Sequence, residues 1–71
     1  MINFKPWQVV VFVKSFQELP AGIKGVISGY EFDNQETLIG FFVDIYEIKD
    51  FMGCTVGPIP PHYLRVNDEN K

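Results

Sequence analysis

Residues Leu38 to Tyr46 read LIGFFVDIY. The run is dense in β-branched and aromatic side chains, the composition of a strand. A strand turns successive side chains to opposite faces, so period two sorts this run into two sets. Ile39, Phe41, Val43 and Ile45 make one wholly apolar face, which is expected to lie in a core. Leu38, Gly40, Phe42, Asp44 and Tyr46 make the other. That second face carries one acid between two aromatics, so it is expected to be half-exposed or part of an interface. Just upstream, Lys24 to Phe32 (KGVISGYEF) reads as a partner strand. Val26, Ser28 and Tyr30 share one of its faces, and Gly25, Ile27, Gly29 and Glu31 the other. Glycines inside a strand mark bulges or tight bends. Asp33-Asn34-Gln35-Glu36 between the two strands is a polar turn.

Outward from this hairpin the punctuation stays that of an all-β chain. Trp7 to Val13 (WQVVVFV) reads as a first strand, too continuously apolar to have one cleanly solvated face. Lys14 to Gly22 (KSFQELPAG) is a long loop, broken by Pro20 and Gly22. Glu47 to Gly53 is a turn, and Cys54-Thr55-Val56 a short fourth strand. Gly57-Pro58-Ile59-Pro60-Pro61 is expected not to continue a central strand, because proline has no N–H for the ladder. Pro60 to Tyr63 reads as a single 3₁₀ turn and Leu64 to Val66 as a short fifth strand. No segment has helical periodicity over three turns. The expectation is one all-β domain over residues 1–66, with a polar tail at 67–71.

The chain has 71 residues, of which 46% are apolar and 15% aromatic. A domain this small buries only about 60% of its unfolded surface and needs a dense core or a staple. Seven Phe, three Tyr and one Trp supply the first. A single cysteine, Cys54, excludes an internal disulfide, and one Cys with one His does not make a zinc site. No cofactor or metal is expected. The N-terminal MINFKPW has no signal-peptide layout, so the expectation is a soluble cytoplasmic protein without a membrane span. The formal net charge is −3, and Lys5, Lys14, Lys24, Lys49, Arg65 and Lys71 are scattered singly. Nucleic acid is therefore an unfavoured partner, since phosphate binding needs clustered cations.

The order of elements resembles that of an SH3-like barrel. Glu18-Leu19-Pro20-Ala21-Gly22-Ile23-Lys24-Gly25-Val26-Ile27 is similar to the "LPAG..G.V" segment leading into the second strand of small bacterial SH3-like proteins, several of them in families of unknown function. Gly57-Pro58-Ile59-Pro60-Pro61-His62-Tyr63-Leu64 is similar to the "G.IPSNYV" ending of eukaryotic SH3 domains. The resemblance implies a five-stranded barrel with a 3₁₀ turn before the last strand. It does not carry over polyproline recognition. The tryptophan that begins the third strand in SH3 domains is replaced here by Thr37-Leu38-Ile39, and the paired aromatics of the first strand by Val10-Val11-Phe12-Val13. Only Pro61 and Tyr63 match ligand-groove positions.

Few residues carry chemistry. Cys54 and His62 are the only thiol–imidazole pair, and Cys54 is expected to be a small buried hydrophobe rather than a nucleophile. Glu31, Asp33, Glu36, Glu47 and Asp50 read as a solvated acidic rim. Asp44, inside a strand, is expected to need a partner such as Lys14 or Arg65 if its face is covered. Trp7, Phe42, Tyr46, Phe51 and Tyr63 are aromatics outside the main core; they either plug the barrel ends or form a binding surface. The functional expectation is a non-enzymatic protein-binding or adaptor module, with a homodimer as one form. Its surface would combine Glu18, Phe42, Asp44, Tyr46, Pro61 and Tyr63. The alternatives are a nucleic-acid-binding small barrel and an accessory subunit of an enzyme.

Overall fold

A computed structural model describes residues 4–48 and 53–67. Phe51, Asp50 and most of the polar tail fall outside them. Among the described residues there are five strands, all antiparallel in one sheet, and no α-helix. The strands are β1 (Val9–Phe12), β2 (Lys24–Phe32), β3 (Leu38–Ile45), β4 (Cys54–Ile59) and β5 (Leu64–Val66), with a 3₁₀ turn at Pro61–Tyr63. Their order across the sheet is β4-β3-β2-β1-β5. The sheet is open, with β4 and β5 at its two edges. No helix among the described residues is long and apolar enough to cross a membrane.

The core forms from the inner face of every strand. Val10, Phe12, Ile27, Phe41, Val43, Ile45, Ile59 and Leu64 are buried in one cluster with Phe4 and Leu19. Each large side chain removed from water in this way contributes roughly 1.5–3 kcal/mol. Phe41 is at the centre, with the rings of Phe4 and Tyr30 edge-on to it at centroid distances of 4.9 and 5.5 Å. The Tyr30 hydroxyl donates to the Phe4 carbonyl at 2.8 Å, which ties the start of the chain to β2. The cluster includes residues of both edge strands, Ile59 of β4 and Leu64 of β5. In a flat sheet those strands would lie about 19 Å apart, at about 4.8 Å per neighbour. Only residues 60–63, three of them in the 3₁₀ turn, separate the end of β4 from the start of β5, too short a link to cross that distance at about 2 Å of rise per 3₁₀ residue, so the sheet is curled over its own core.

Gly25 is a point where β2 and β3 approach closely. A Cβ there would collide with Cγ1 of Val43 and with the Asp44 carbonyl. Only glycine lets the inner face of β3 close onto β2 at this point.

Between β2 and β3 strict alternation fails at two bulges. Ile27 pairs with Val43 but Gly29 pairs with Phe42, so Ser28 is an extra residue on β2. The extra residue reverses the parity of β2 beyond it. Tyr30, expected opposite Ile27, packs instead on the same core. Similarly, Glu31 pairs with Gly40 and Phe32 with Leu38, which leaves Ile39 bulged out of β3. Ile39 was expected in the core and is 44% exposed. Leu38, expected on the outer face, packs against the core in its place.

Three further expectations are corrected. The first strand starts at Val9, because Lys5 to Gln8 forms a turn closed by Gln8 N–H to the Lys5 carbonyl at 3.1 Å. Within it Val11 is only 7% exposed although it lies opposite Val10 and Phe12, so β1 is covered on both faces as its sequence suggested. The fourth strand runs through Pro58 to Ile59. It tolerates the proline because it is an edge strand, paired only with β3. An extra residue at Gly57-Pro58 shifts its register, since Val56 pairs with Val43 and Ile59 with Phe41. Finally, Cys54 is exposed at the start of β4, not buried.

Candidate functional site

The residues singled out in the sequence fall into two groups. The first sits where the loop after β1 meets the 3₁₀ turn. Phe16 and Leu19 exchange backbone hydrogen bonds of 2.9 Å in both directions, closing a tight turn that puts Gln17 and Glu18 at its tip. Leu19 is buried and anchors this turn, whereas Glu18 is solvated. The 3₁₀ turn is held from its other side by Val13 N–H, which donates to the Tyr63 carbonyl at 2.8 Å. The two pieces meet through aromatic rings. Phe16 stands edge-on to Tyr63 at 5.6 Å, and Lys14 Nζ lies over the Tyr63 ring at 5.6 Å from its centroid. His62 stacks at a tilt on Tyr63 at 4.7 Å. Pro61 and Tyr63 are half-buried and His62 is exposed. Glu18, Pro61 and Tyr63 thus share one end of the molecule.

The second group is the outer face of β3. Phe42 and Asp44 are half-buried and Tyr46 is exposed, alternating with fully buried Phe41, Val43 and Ile45. The Phe42 ring lies across two backbone stretches that bear no side chain. A Cβ at Gly29 would meet its Cδ2 at 3.4 Å, and one at Gly57 its Cδ1 at 3.0 Å. Gly57 has φ +142° and its missing Cβ would also fall 2.6 Å from the Phe41 carbonyl, so no other residue fits there without strain. Ser28, the bulged residue of β2, donates its hydroxyl to the Phe42 carbonyl at 3.3 Å. Asp44 was expected to seek Lys14 or Arg65. It accepts instead from the Thr55 hydroxyl, at 2.6 Å, on the neighbouring strand. In the sheet, Asp44 lies in one row with Val9, Val26 and Thr55.

No ring contact or hydrogen bond among the described residues joins the two groups, so the single surface expected from the sequence divides into two. Phe16 and Lys14, which assemble the first, and Thr55, which completes the second, were not among the expected residues. Phe16 had a signal: in Ser15-Phe16-Gln17-Glu18-Leu19 two apolar residues flank a polar pair, as a tight turn with buried feet requires. Thr55 had none, because its partner is set by strand register.

The thiol and the imidazole lie at opposite ends of one strand. Cys54 opens β4 and His62 follows its far end. A six-residue strand spans on the order of 15 Å between the two ends. Three or more His, Cys, Asp or Glu side chains grouped as for a metal ion do not occur among the described residues. Two of the rim acids, Asp33 and Glu47, are engaged locally. Asp33 Oδ1 accepts from the N–H groups of Gln35 and Thr37, at 2.8 and 2.9 Å, and so builds the β2–β3 turn. Glu47 accepts from Lys24 N–H at 2.9 Å and has its Nζ at 4.0 Å. Compared with protein-family models, curated proteins and solved structures, the chain matches none.

Proposed function

We propose that this chain is an SH3-like barrel that works as a non-enzymatic, cytoplasmic protein-binding module. The fold assignment is supported by the element order, by the prolyl 3₁₀ turn before the last strand, and by a core shared between the two edge strands. The binding reading is carried by one observation: the Phe16–Tyr63 contact joins the β1–β2 loop to the 3₁₀ turn. The result is a half-buried aromatic floor with a cation, Lys14, above it and an acid, Glu18, on the adjoining turn. Aromatic floors with a charged rim are the composition of protein-recognition surfaces. The usual tryptophan-lined proline groove is absent, so the partner is expected to be read through a tyrosine and opposite charges rather than through polyproline.

The test is affinity capture from the native cell with the whole chain, comparing wild type with Glu18→Lys and Pro61→Ala. Both altered residues lie outside the core cluster, so both variants are expected to fold, which circular dichroism checks. The expected result is a defined protein retained by wild type and lost from at least one variant. Retention of nucleic acid that nuclease releases, or a retained set identical for all three proteins, would overturn the reading.

A further inference from the structure

Trp7 belongs neither to the core cluster nor to the two groups of candidate residues. It occupies the third position of the Lys5–Gln8 turn, after Pro6, with φ +64°. Proline fixes a negative φ at the second position, so the turn is of type II, whose third position ordinarily takes glycine. Trp7 is nevertheless there, and it is the most exposed large apolar residue described, at 69%. The turn is rigid: Trp7 N–H donates to the Ile27 carbonyl at 2.8 Å, and Lys5 N–H to Gln8 Oε1 at 3.1 Å. A strained backbone that holds a solvated indole has no reward inside the monomer. Such outliers concentrate at binding and switch sites, and Trp is the residue most enriched among interface anchors.

The surface that fits this turn lies on the same molecule. The turn presents a cation, Lys5, two residues from the indole. The outer face of β3 presents the complement, an acid between two aromatics: Phe42, Asp44 and Tyr46. The two are close in the sheet. Trp7 is bonded to Ile27, the next residue is the bulged Ser28, and Ser28 is bonded to the Phe42 carbonyl. Their backbones therefore sit about two strand spacings, or about 10 Å, apart. A patch that holds both an anchor and its seat can meet itself across a two-fold axis, which closes the assembly at two copies.

We infer that Trp7 is the anchor of a homodimer, seated on the Phe42–Asp44–Tyr46 face of a second copy, with Lys5 of one protomer opposite Asp44 of the other. This rests on the reading of the chain as a binding module and names one partner for its second surface. Trp7 is the only tryptophan, so intrinsic fluorescence reports on it alone.

The experiment is sedimentation and tryptophan emission over the same series, from micromolar to millimolar protein. The expected result is a rise from monomer to dimer mass, with a parallel blue shift of the emission. Trp7→Gly, which suits the turn, is expected to stay monomeric at every concentration while unfolding at a higher temperature than wild type. Asp44→Lys is expected to weaken the dimer at least tenfold, and the double variant Lys5→Glu/Asp44→Lys to recover it. A monomer throughout with solvent-type emission, or a dimer that survives Trp7→Gly, would overturn the inference. A monomer whose capture partner still depends on Glu18 would do so while leaving the proposed function standing. Loss of the capture partner with an intact dimer would do the reverse.

Discussion

The two faces of β3 each carry a phenylalanine and do different work. Phe41, Val43 and Ile45 point inward and are essentially without exposure; Phe42, Asp44 and Tyr46 point outward and are graded from half-buried to solvated. Phe41 and Phe42 are chemically identical neighbours. One is surrounded by Phe4, Tyr30 and its β4 partner Ile59, while the other packs over two glycines and is only half-buried. Hydrophobicity alone does not say which of two adjacent phenylalanines holds the fold together. Neighbours do, because stabilisation follows the area and packing each ring loses or keeps.

Substitutions along β3 break or sharpen this contrast. The largest effect is expected for Phe41→Ala, which removes the central ring of the core and costs about 3–5 kcal/mol. For a domain of 71 residues, whose whole stability is on the order of 4–10 kcal/mol, that leaves a partly or wholly unfolded chain, read by chemical denaturation and near-ultraviolet circular dichroism. A cost under about 1 kcal/mol would mean the inner face is not the core. Thr55→Val probes the outer face. It keeps the shape and removes the hydroxyl that Asp44 accepts from, for an expected loss of about 1 kcal/mol. The denaturation midpoint should fall with an unchanged slope. Tyr46→Ser is expected to be the smallest, within about 0.5 kcal/mol of wild type in dilute solution. A loss there as large as that for Phe41→Ala would erase the distinction between the faces.

The hairpin was the legible part. β2 and β5 have the bounds read from sequence, β3 ends one residue sooner, and the Asp33 turn does what an Asx-type turn residue does. These depend on local pattern, which the sequence states directly. The misplaced faces of β2 and β3 share one cause. Ser28 and Ile39 are extra residues in the ladder, and a bulge is a property of two paired strands rather than of either alone. One bulge moved Tyr30 to the core; the other expelled Ile39. Cys54 was misplaced for the same kind of reason. Its exposure depends on β4 being an edge, which only the strand order reveals. The candidate surface was half legible. Each of Glu18, Pro61 and Tyr63 was visible as a residue type, but their meeting depends on Phe16 reaching Tyr63 across most of the chain. The outer face of β3 followed from alternation, whereas the Asp44–Thr55 bond needed the register of β4.

Pro58 has a bearing on how such a chain survives at high concentration. An open sheet offers its border strands as templates on which further chains can add without limit, the geometry of fibrils. β4 is the longer border here, and Pro58 sits within it with no N–H to offer, next to a register shift that throws the rim out of line. The opposite border, β5, is three residues long. Growth by strand addition is thus obstructed at both ends, and contact through a face remains as the orderly route by which two copies can meet.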